Sequence, residues 1–203
     1  IVMGILQGVT EFLPVSSSGH LTLFQYFFAP DQSAGETDML FTILLHFGTR
    51  RSVCIYYWRD VVGMIREFFL GIRDLASRGR RGREKLPPAR RLVLLIIVAT
   101  LPLFVVLPIK DLVEGAMSNV TFVSFALLAT GFILFFADRM ARGRKTERTA
   151  TVLDALLVGC AQALGTLPGI SRSGITISAG MLRGYDRTFA VRFSFLMSLP
   201  AVF

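Results

Sequence analysis

Long apolar runs, broken at two places by compact polar loops, set the plan of this chain. Residues 92–108 and 120–137 are uncharged runs of 17 and 18 residues, close to the roughly 20 that carry a helix across a hydrocarbon core. Residues 39–58 and 189–203 are largely apolar as well. Residues 4–26 and 152–183 read differently, because in each an apolar stretch is interrupted by Pro, Gly and Ser. A shift of 155 positions places Gly4 on Gly159, Gln7 on Gln162, Ser16 on Ser171, Ser18 on Ser173 and Gly19 on Gly174. Unpaired backbone is tolerated at membrane depth only where protein or a water-filled cavity satisfies it. The repeat therefore predicts two interrupted helical segments that build one buried polar site.

Composition agrees with a membrane protein. A mean hydropathy of +0.59, 53% hydrophobic residues and 18 Phe among 203 residues exceed what an ordinary soluble domain carries. The net charge of +8 would suit a nucleic-acid binder, but ten of the 22 Lys and Arg fall in 59–91 and five in 139–148. Basic clusters beside apolar spans follow the positive-inside rule, which puts both stretches in the cytoplasm and makes 110–119 a short outer loop. By the same parity residues 39–58 run inward from an acidic outer linker, 31–38. Residues 183–187 then form a cytoplasmic turn, and 189–203 lead outward.

If each cassette dips in and returns to its own side, the first enters from outside and the second from inside. The expected fold is an all-α, polytopic, multi-pass membrane protein with inverted-topology repeats and two re-entrant helix-loop-helix hairpins, in one domain over 1–203. Repeat one covers 1–58 with its cassette at 4–26. A basic cytoplasmic loop, with at most a short interfacial helix at its start, covers 59–91. Transmembrane helices 92–108 and 120–137 follow, and repeat two begins at 152 with its cassette at 152–183. Full crossing by one or both cassettes is the alternative, and it too leaves the polar loops at depth. Cys54 and Cys160 show no metal-ligand spacing. Both ends lie in apolar sequence, which predicts that both are trimmed.

The cassettes carry the chemistry. Gln7 and Glu11 are four residues apart and share a helix face. A carboxylate at membrane depth is costly and functional by default, here as a ligand for a divalent cation against phosphate oxygens or as a general base. Pro14 ends that helix, and Ser16, Ser17, Ser18 and Gly19 supply hydroxyls and free amides where the next begins, a ready anion site. His20 beside them can exchange protons with a nucleophile or leaving group. In the second cassette Arg172 stands where the first has Ser17, between Ser171 and Ser173, with Gly174 and Thr176 following. A guanidinium cannot deprotonate and forks onto phosphate oxygens, so this loop reads as an anion clamp. Together these are parts for phosphoryl transfer on an apolar-tailed substrate.

Glu11-Phe12-Leu13-Pro14-Val15-Ser16-Ser17-Ser18-Gly19-His20 and Leu167-Pro168-Gly169-Ile170-Ser171-Arg172-Ser173-Gly174-Ile175-Thr176 closely resemble the two signature motifs of the undecaprenyl-pyrophosphate phosphatase family, also called bacitracin-resistance proteins. The resemblance extends through Leu45-His46-Phe47-Gly48-Thr49 and residues 190–200. It implies hydrolysis of a polyprenyl pyrophosphate to the monophosphate and inorganic phosphate, recycling the carrier lipid of cell-wall synthesis in the bacterial inner membrane, with a divalent cation, Mg2+ or Ca2+. By the same resemblance Glu11, His20 and Arg172 match functional positions, Ser17 matches the proposed nucleophile, and Gln7 stands where many members have Glu. The partners implied are the lipid substrate and membrane lipids, with homo-oligomerisation left open and no nucleic acid.

Two departures stand out. Family members continue beyond the point matching Phe203, which implies that terminal helices are missing here. Arg50 and Arg51 also fall where the family pattern is aliphatic, and two charges in mid-span cost several kcal/mol unless partnered. Arg192 fits the pattern and could reach the pyrophosphate or face the inner interface. Two other classes compete. A polyprenyl-phosphate transporter or flippase uses similar interrupted repeats, and the type 2 phosphatidic acid phosphatases also use Ser-Gly-His and Ser-Arg elements, but with a later His and Asp absent here. Whether Ser17 or a water attacks is open at this level.

Overall fold

Local signals in the sequence place most helix boundaries. The computed structural model describes residues 2–28, 36–76, 86–106, 108, 113 and 119–200, and no strand occurs among them. Helix α1 (Val2–Phe12) stops just before Pro14, and α2 (Ser17–Phe28) begins within the serine run. Helices α3 (Glu36–Tyr56) and α4 (Trp58–Ala76) are separated at Tyr57. Helix α5 (Pro88–Thr100) starts on a proline, whose fixed φ suits a first turn, and passes into a 3-10 turn at Leu101–Val105. Asn119 caps α6 (Val120–Met140), accepting the Phe122 N–H at 3.0 Å. A capping box of Thr151 and Asp154 opens α7 (Val152–Leu164). Ser171 caps α8 (Arg172–Leu182) and Asp186 caps α9 (Arg187–Ser198).

Among the described residues two helices are long and apolar enough to cross a membrane, Pro88–Val105 and Val120–Met140. The second coincides with the expected span at 120–137. The first starts earlier than the expected 92–108 because Pro88 begins the helix ahead of the apolar run. On α6, Phe125, Leu128, Phe132 and Phe136 are exposed, an arrangement that water penalises and lipid does not. By contrast α1, α2, α7 and α8 have 11, 12, 13 and 11 residues, which at about 1.5 Å per residue is well short of a hydrocarbon core. They pack in pairs, α1 with α2 and α7 with α8.

The expected basic loop at 59–91 is corrected by α4, which occupies most of its first half. Apolar Val61, Met64 and Phe68 recur at helical spacing, and Asp60, Glu67 and Asp74 fall every seventh residue, so one sequence serves two faces. Arg192 grips Asp60 through both ends of its guanidinium at 3.0 and 2.6 Å. Arg90 reaches Glu67 at 3.0 Å and Asp74 at 2.9 Å. Such pairing turns a stretch that reads as solvated into part of the body. Residues 77–85, with Arg80, Arg81 and Arg83, and most of the expected outer segments 31–38 and 110–119 lie outside the described residues.

The core lies among α5, α7, α8 and α9. Leu92, Leu95, Ile96 and Ala99 of α5 meet Ala155 and Val158 of α7, Ile177 and Met181 of α8, and Phe189, Phe193, Leu196 and Met197 of α9. Tyr185, Phe189 and Phe193 stack with ring centroids 4.9 to 5.7 Å apart. At the end where α7 begins and α8 finishes, Asp154 is fully buried. It accepts the Lys145 ammonium at 2.8 Å, Arg183 at 2.8 and 2.9 Å and the Thr151 N–H at 3.0 Å. Burying that carboxylate is tolerable only because charge and hydrogen bonds are both satisfied. Helix α7 therefore has one charged, anchored end, and its other end is free to carry the polar loop that follows it.

Helices α5 and α7 approach so closely that a Cβ on Gly159 would fall 2.3 Å from the Ala99 carbonyl oxygen, whereas one on Gly63 of α4 meets nothing within 4 Å. Gly159→Ala should lower stability by about 1–3 kcal/mol, the range for overpacking. Gly63→Ala should be neutral or stabilising by up to about 1 kcal/mol through helix propensity. Thermal melts of both variants in detergent check the pair, and equal melting temperatures would contradict the packing.

Candidate active site

The loops at the tips of the α1–α2 and α7–α8 pairs meet inside the protein. A Cβ on Gly19 would lie 3.2 Å from Gly169 Cα, and one on Gly174 would lie 2.7 Å from the Pro14 carbonyl oxygen. Because Gly174 is Gly19 shifted by 155 and Gly169 is Pro14 shifted by 155, the two contacts fall at matching positions of the two cassettes. Hydrogen bonds repeat in the same register. Ser16 Oγ accepts the Gly19 N–H at 3.3 Å and lies 3.4 Å from Ser18 Oγ. Ser171 Oγ accepts the Gly174 N–H at 3.0 Å and lies 3.3 Å from Ser173 Oγ.

The tips differ in backbone. Ser16 has φ of 70°, while in the second tip the positive φ falls on Gly169, at 83°. A left-handed serine is strained, and such strain persists only where its surroundings impose it. Helix α6 braces the second tip. Thr130 Oγ1 accepts the Ser171 N–H at 3.2 Å and turns its hydrogen to the carbonyls of Ala126 and Gly169 at 3.0 and 3.4 Å.

Between the tips is a cavity of about 170 Å3. Glu11, Ser16, Ser17, Ser18, Ser171, Arg172 and Ser173 line it, so most of the residues expected from sequence do meet. Ser17 Oγ donates to Glu11 Oε2 at 2.5 Å, which occupies the carboxylate with a hydroxyl. The Arg172 guanidinium makes no hydrogen bond or ion pair among the described residues, yet it lies within reach of the charge of Glu11. Its guanidinium is thus held near an acid without being spent on it. An anion entering this cavity would find one guanidinium, several hydroxyls and the amide-rich start of α8.

Other expected residues stand differently. Gly19 and Gly174 serve the contact between tips. Thr176 is buried outside the cavity wall, and its hydroxyl lies 2.6 Å from Ser194 Oγ, which does line it. His20 does not join Glu11 and Arg172. Its Nδ1 donates to the Ser16 carbonyl at 2.8 Å, and the ring lines a separate apolar cavity of about 870 Å3 with Leu23, Leu127 and Phe135. Capping the turn it follows holds the imidazole toward α6. Arg192, bound to Asp60, lies in the charged network rather than the cavity.

The imidazole in the cavity wall is instead His46 of α3, and its Nδ1 lies 2.9 Å from Nε2 of the fully buried Gln7. Its signal in the sequence was a histidine within an apolar run, an expensive placement without purpose. Gln7 Oε1 has no hydrogen-bond partner. Gln7 lies outside the cavity lining, so the oxygen donors there are the Glu11 carboxylate and the serine hydroxyls, the type that suits a hard divalent cation. No group of three or more His, Cys, Asp or Glu that could hold a metal occurs among the described residues, so such an ion would need substrate oxygens to complete its shell.

Comparison with known proteins places this geometry. Residues 1–203 match the family described as Bacitracin resistance protein BacA. A relative named undecaprenyl-diphosphatase from Methanosphaera stadtmanae is 38% identical over 205 residues, covering 100% of this chain and 72% of its own length. Relatives of the same name from Syntrophotalea carbinolica and Alkaliphilus metalliredigens are 43% and 41% identical over 204 residues, with the same coverage.

Thr130→Val keeps the volume but leaves the buried Ser171 N–H unpaired, at an expected cost of about 1–3 kcal/mol. Thr130→Ser restores the acceptor and should recover most of the loss. Melting of both variants in detergent tests whether α6 braces the second tip, and a serine variant no better than valine would refute it.

Proposed function

We infer the function from the premise that the chain belongs to the bacitracin resistance protein BacA family: it is an α-helical membrane protein and a phosphatase that hydrolyses undecaprenyl diphosphate to the monophosphate and inorganic phosphate. The relatives' shared name supports no lipid-transporter reading. The single observation that carries the mechanism is the Ser17–Glu11 hydrogen bond facing Arg172 across one polar cavity.

In this proposal Arg172 and the first amides of α8 hold the terminal phosphate, neutralising charge that grows on its oxygens in the transition state. Ser17 Oγ attacks the terminal phosphorus as its proton passes to Glu11 Oε2. The anhydride P–O bond breaks, and undecaprenyl monophosphate leaves as an oxyanion that needs no added proton. Water then displaces Ser17 Oγ from the phosphoserine, inorganic phosphate departs, and Ser17 regains a proton. Glu11, with substrate oxygens, would hold a divalent cation, Mg2+ or Ca2+, which when bound would supply charge neutralisation at the diphosphate. His20, on the apolar side of the first tip, acts in this scheme through the turn that presents Ser17.

The architecture proposed for this activity is an inverted repeat of two re-entrant hairpins in a multi-pass protein of the cytoplasmic membrane. It is supported by the reciprocal Gly19–Gly169 and Gly174–Pro14 contacts and by four helices too short to span. Such a site, reached by a lipid headgroup while the tail stays in the bilayer, fits recycling of a carrier lipid for cell-wall synthesis.

Phosphate release from farnesyl diphosphate by the detergent-purified protein tests the mechanism. Arg172→Ala should lower kcat/KM at least about 100-fold, the scale of one lost transition-state donor. Glu11→Gln and Ser17→Ala should each abolish most release, and a chelator should suppress the wild type. Full activity in Ser17→Ala with loss in Glu11→Gln would replace the phosphoserine by direct attack of water.

A further inference from the structure

Arg172 alone faces a headgroup with several negative charges, and Glu11 beside it adds another. Two phosphates call for a second donor wall, and the cavity has one side that the mechanism above leaves unused, α3. His46 and Arg50 are four residues apart on that helix and so share a face one turn apart. His46 lines the cavity. With the Gln7 amide nitrogen assigned to the ring side, the 2.9 Å contact makes Nδ1 the acceptor, and the ring hydrogen sits on Nε2, directed away from Gln7. A fully buried amide thus leaves this imidazole with a free ring N–H in a residue of the cavity wall.

Arg50 is half-buried just outside the cavity lining, and its guanidinium has no hydrogen bond or ion pair among the described residues. The charge of Glu11 acts on it, and its own charge acts on both His46 and Arg172. Its neighbour Arg51 is exposed. Arginine at this depth is expensive without a partner, and an anionic ligand in the cavity would be one. The residue also stands where the family resemblance leads one to expect an aliphatic side chain, so it is a property of this chain.

We propose that His46, in the cavity wall, and Arg50, one turn further along α3, form a second phosphate-binding wall that grips the phosphate bonded to the lipid while Arg172 and α8 hold the terminal one. This rests on the diphosphatase reading and adds to it a preference for diphosphate over monophosphate. The wall favours substrate over the lipid product, because the product offers only one phosphate to two clamps.

The test compares wild type, Arg50→Leu, Arg50→Lys, His46→Gln and Arg51→Leu, each purified whole in detergent. Readouts are farnesyl diphosphate kinetics and the affinities, by direct binding titration as well as inhibition, of two competitors, a methylene-bridged farnesyl diphosphonate and farnesyl monophosphate. Arg50→Leu should raise KM about tenfold or more, the worth of one charge-assisted hydrogen bond, with kcat little changed. It should weaken the diphosphonate more than the monophosphate. Arg50→Lys should recover much of the affinity, His46→Gln should shift KM in the same direction, and Arg51→Leu should behave as wild type. Unchanged KM in Arg50→Leu, or equal weakening of both competitors, would overturn the proposal. Absence of phosphate release by the wild type would overturn the diphosphatase reading instead, while the difference between competitors would still report on the α3 wall.

Discussion

Two polar loops can meet inside an apolar helical body only if their backbones touch without side chains in the way, and the rest of this structure depends on that contact. Gly19 lies against Gly169, and Gly174 against Pro14. Each contact brings the start of one helix, with its unpaired amides, beside the serine-bearing turn of the other. The serines close their own turns first, Ser16 onto Gly19 and Ser171 onto Gly174, so the loops reach the meeting point already satisfied. What remains unpaired in the cavity wall, among the described residues, is the guanidinium of Arg172. A methyl group at either glycine would separate the loops and with them the carboxylate, hydroxyls and guanidinium of one site.

That contact needs a rigid support, and the opposite end of the bundle provides it. Asp154, Lys145, Arg183 and Thr151 tie the start of α7 to the turn after α8, while Arg192 with Asp60 and Arg90 with Glu67 and Asp74 fasten α4 to the same end. The Tyr185, Phe189 and Phe193 stack lies just inside it. Charges are costly within an apolar body, so they gather where each finds a partner. The phenol of Tyr185, in the turn after α8, shows the same pressure: burial pushes its ionisation upward, helped by the negative charge of Asp154. Charged feet and polar tips divide the α7–α8 pair into a fixed part and a reactive part.

Much of the site could be read before the fold. Glu11, the serine runs and Arg172 are polar residues in apolar surroundings, and the offset of 155 pairs them. Other assignments depended on rotation about a helix axis that sequence does not specify. His20 adjoins the serines in sequence, but its ring caps Ser16 and turns to α6. His46, far away in sequence, arrives at the cavity because α3 packs on α1 and meets Gln7. Residues 59–91 looked solvated because their acids and bases are interleaved. Only their long-range partners, Arg192 above all, show α4 as part of the body.

By itself the sequence determined the helical class, the two long apolar spans, the paired polar loops and the chemistry they could carry, since apolar length, Pro and Gly breaks and repeated motifs are local properties of a chain. The tertiary structure decided which imidazole lines the cavity, that the guanidinium of Arg172 in its wall is unpaired, and that a stretch dense in charge folds as α4. Those outcomes follow from packing between helices distant in the chain. Each residue's surroundings there depend on the neighbour it meets, and local spacing carries no record of that neighbour.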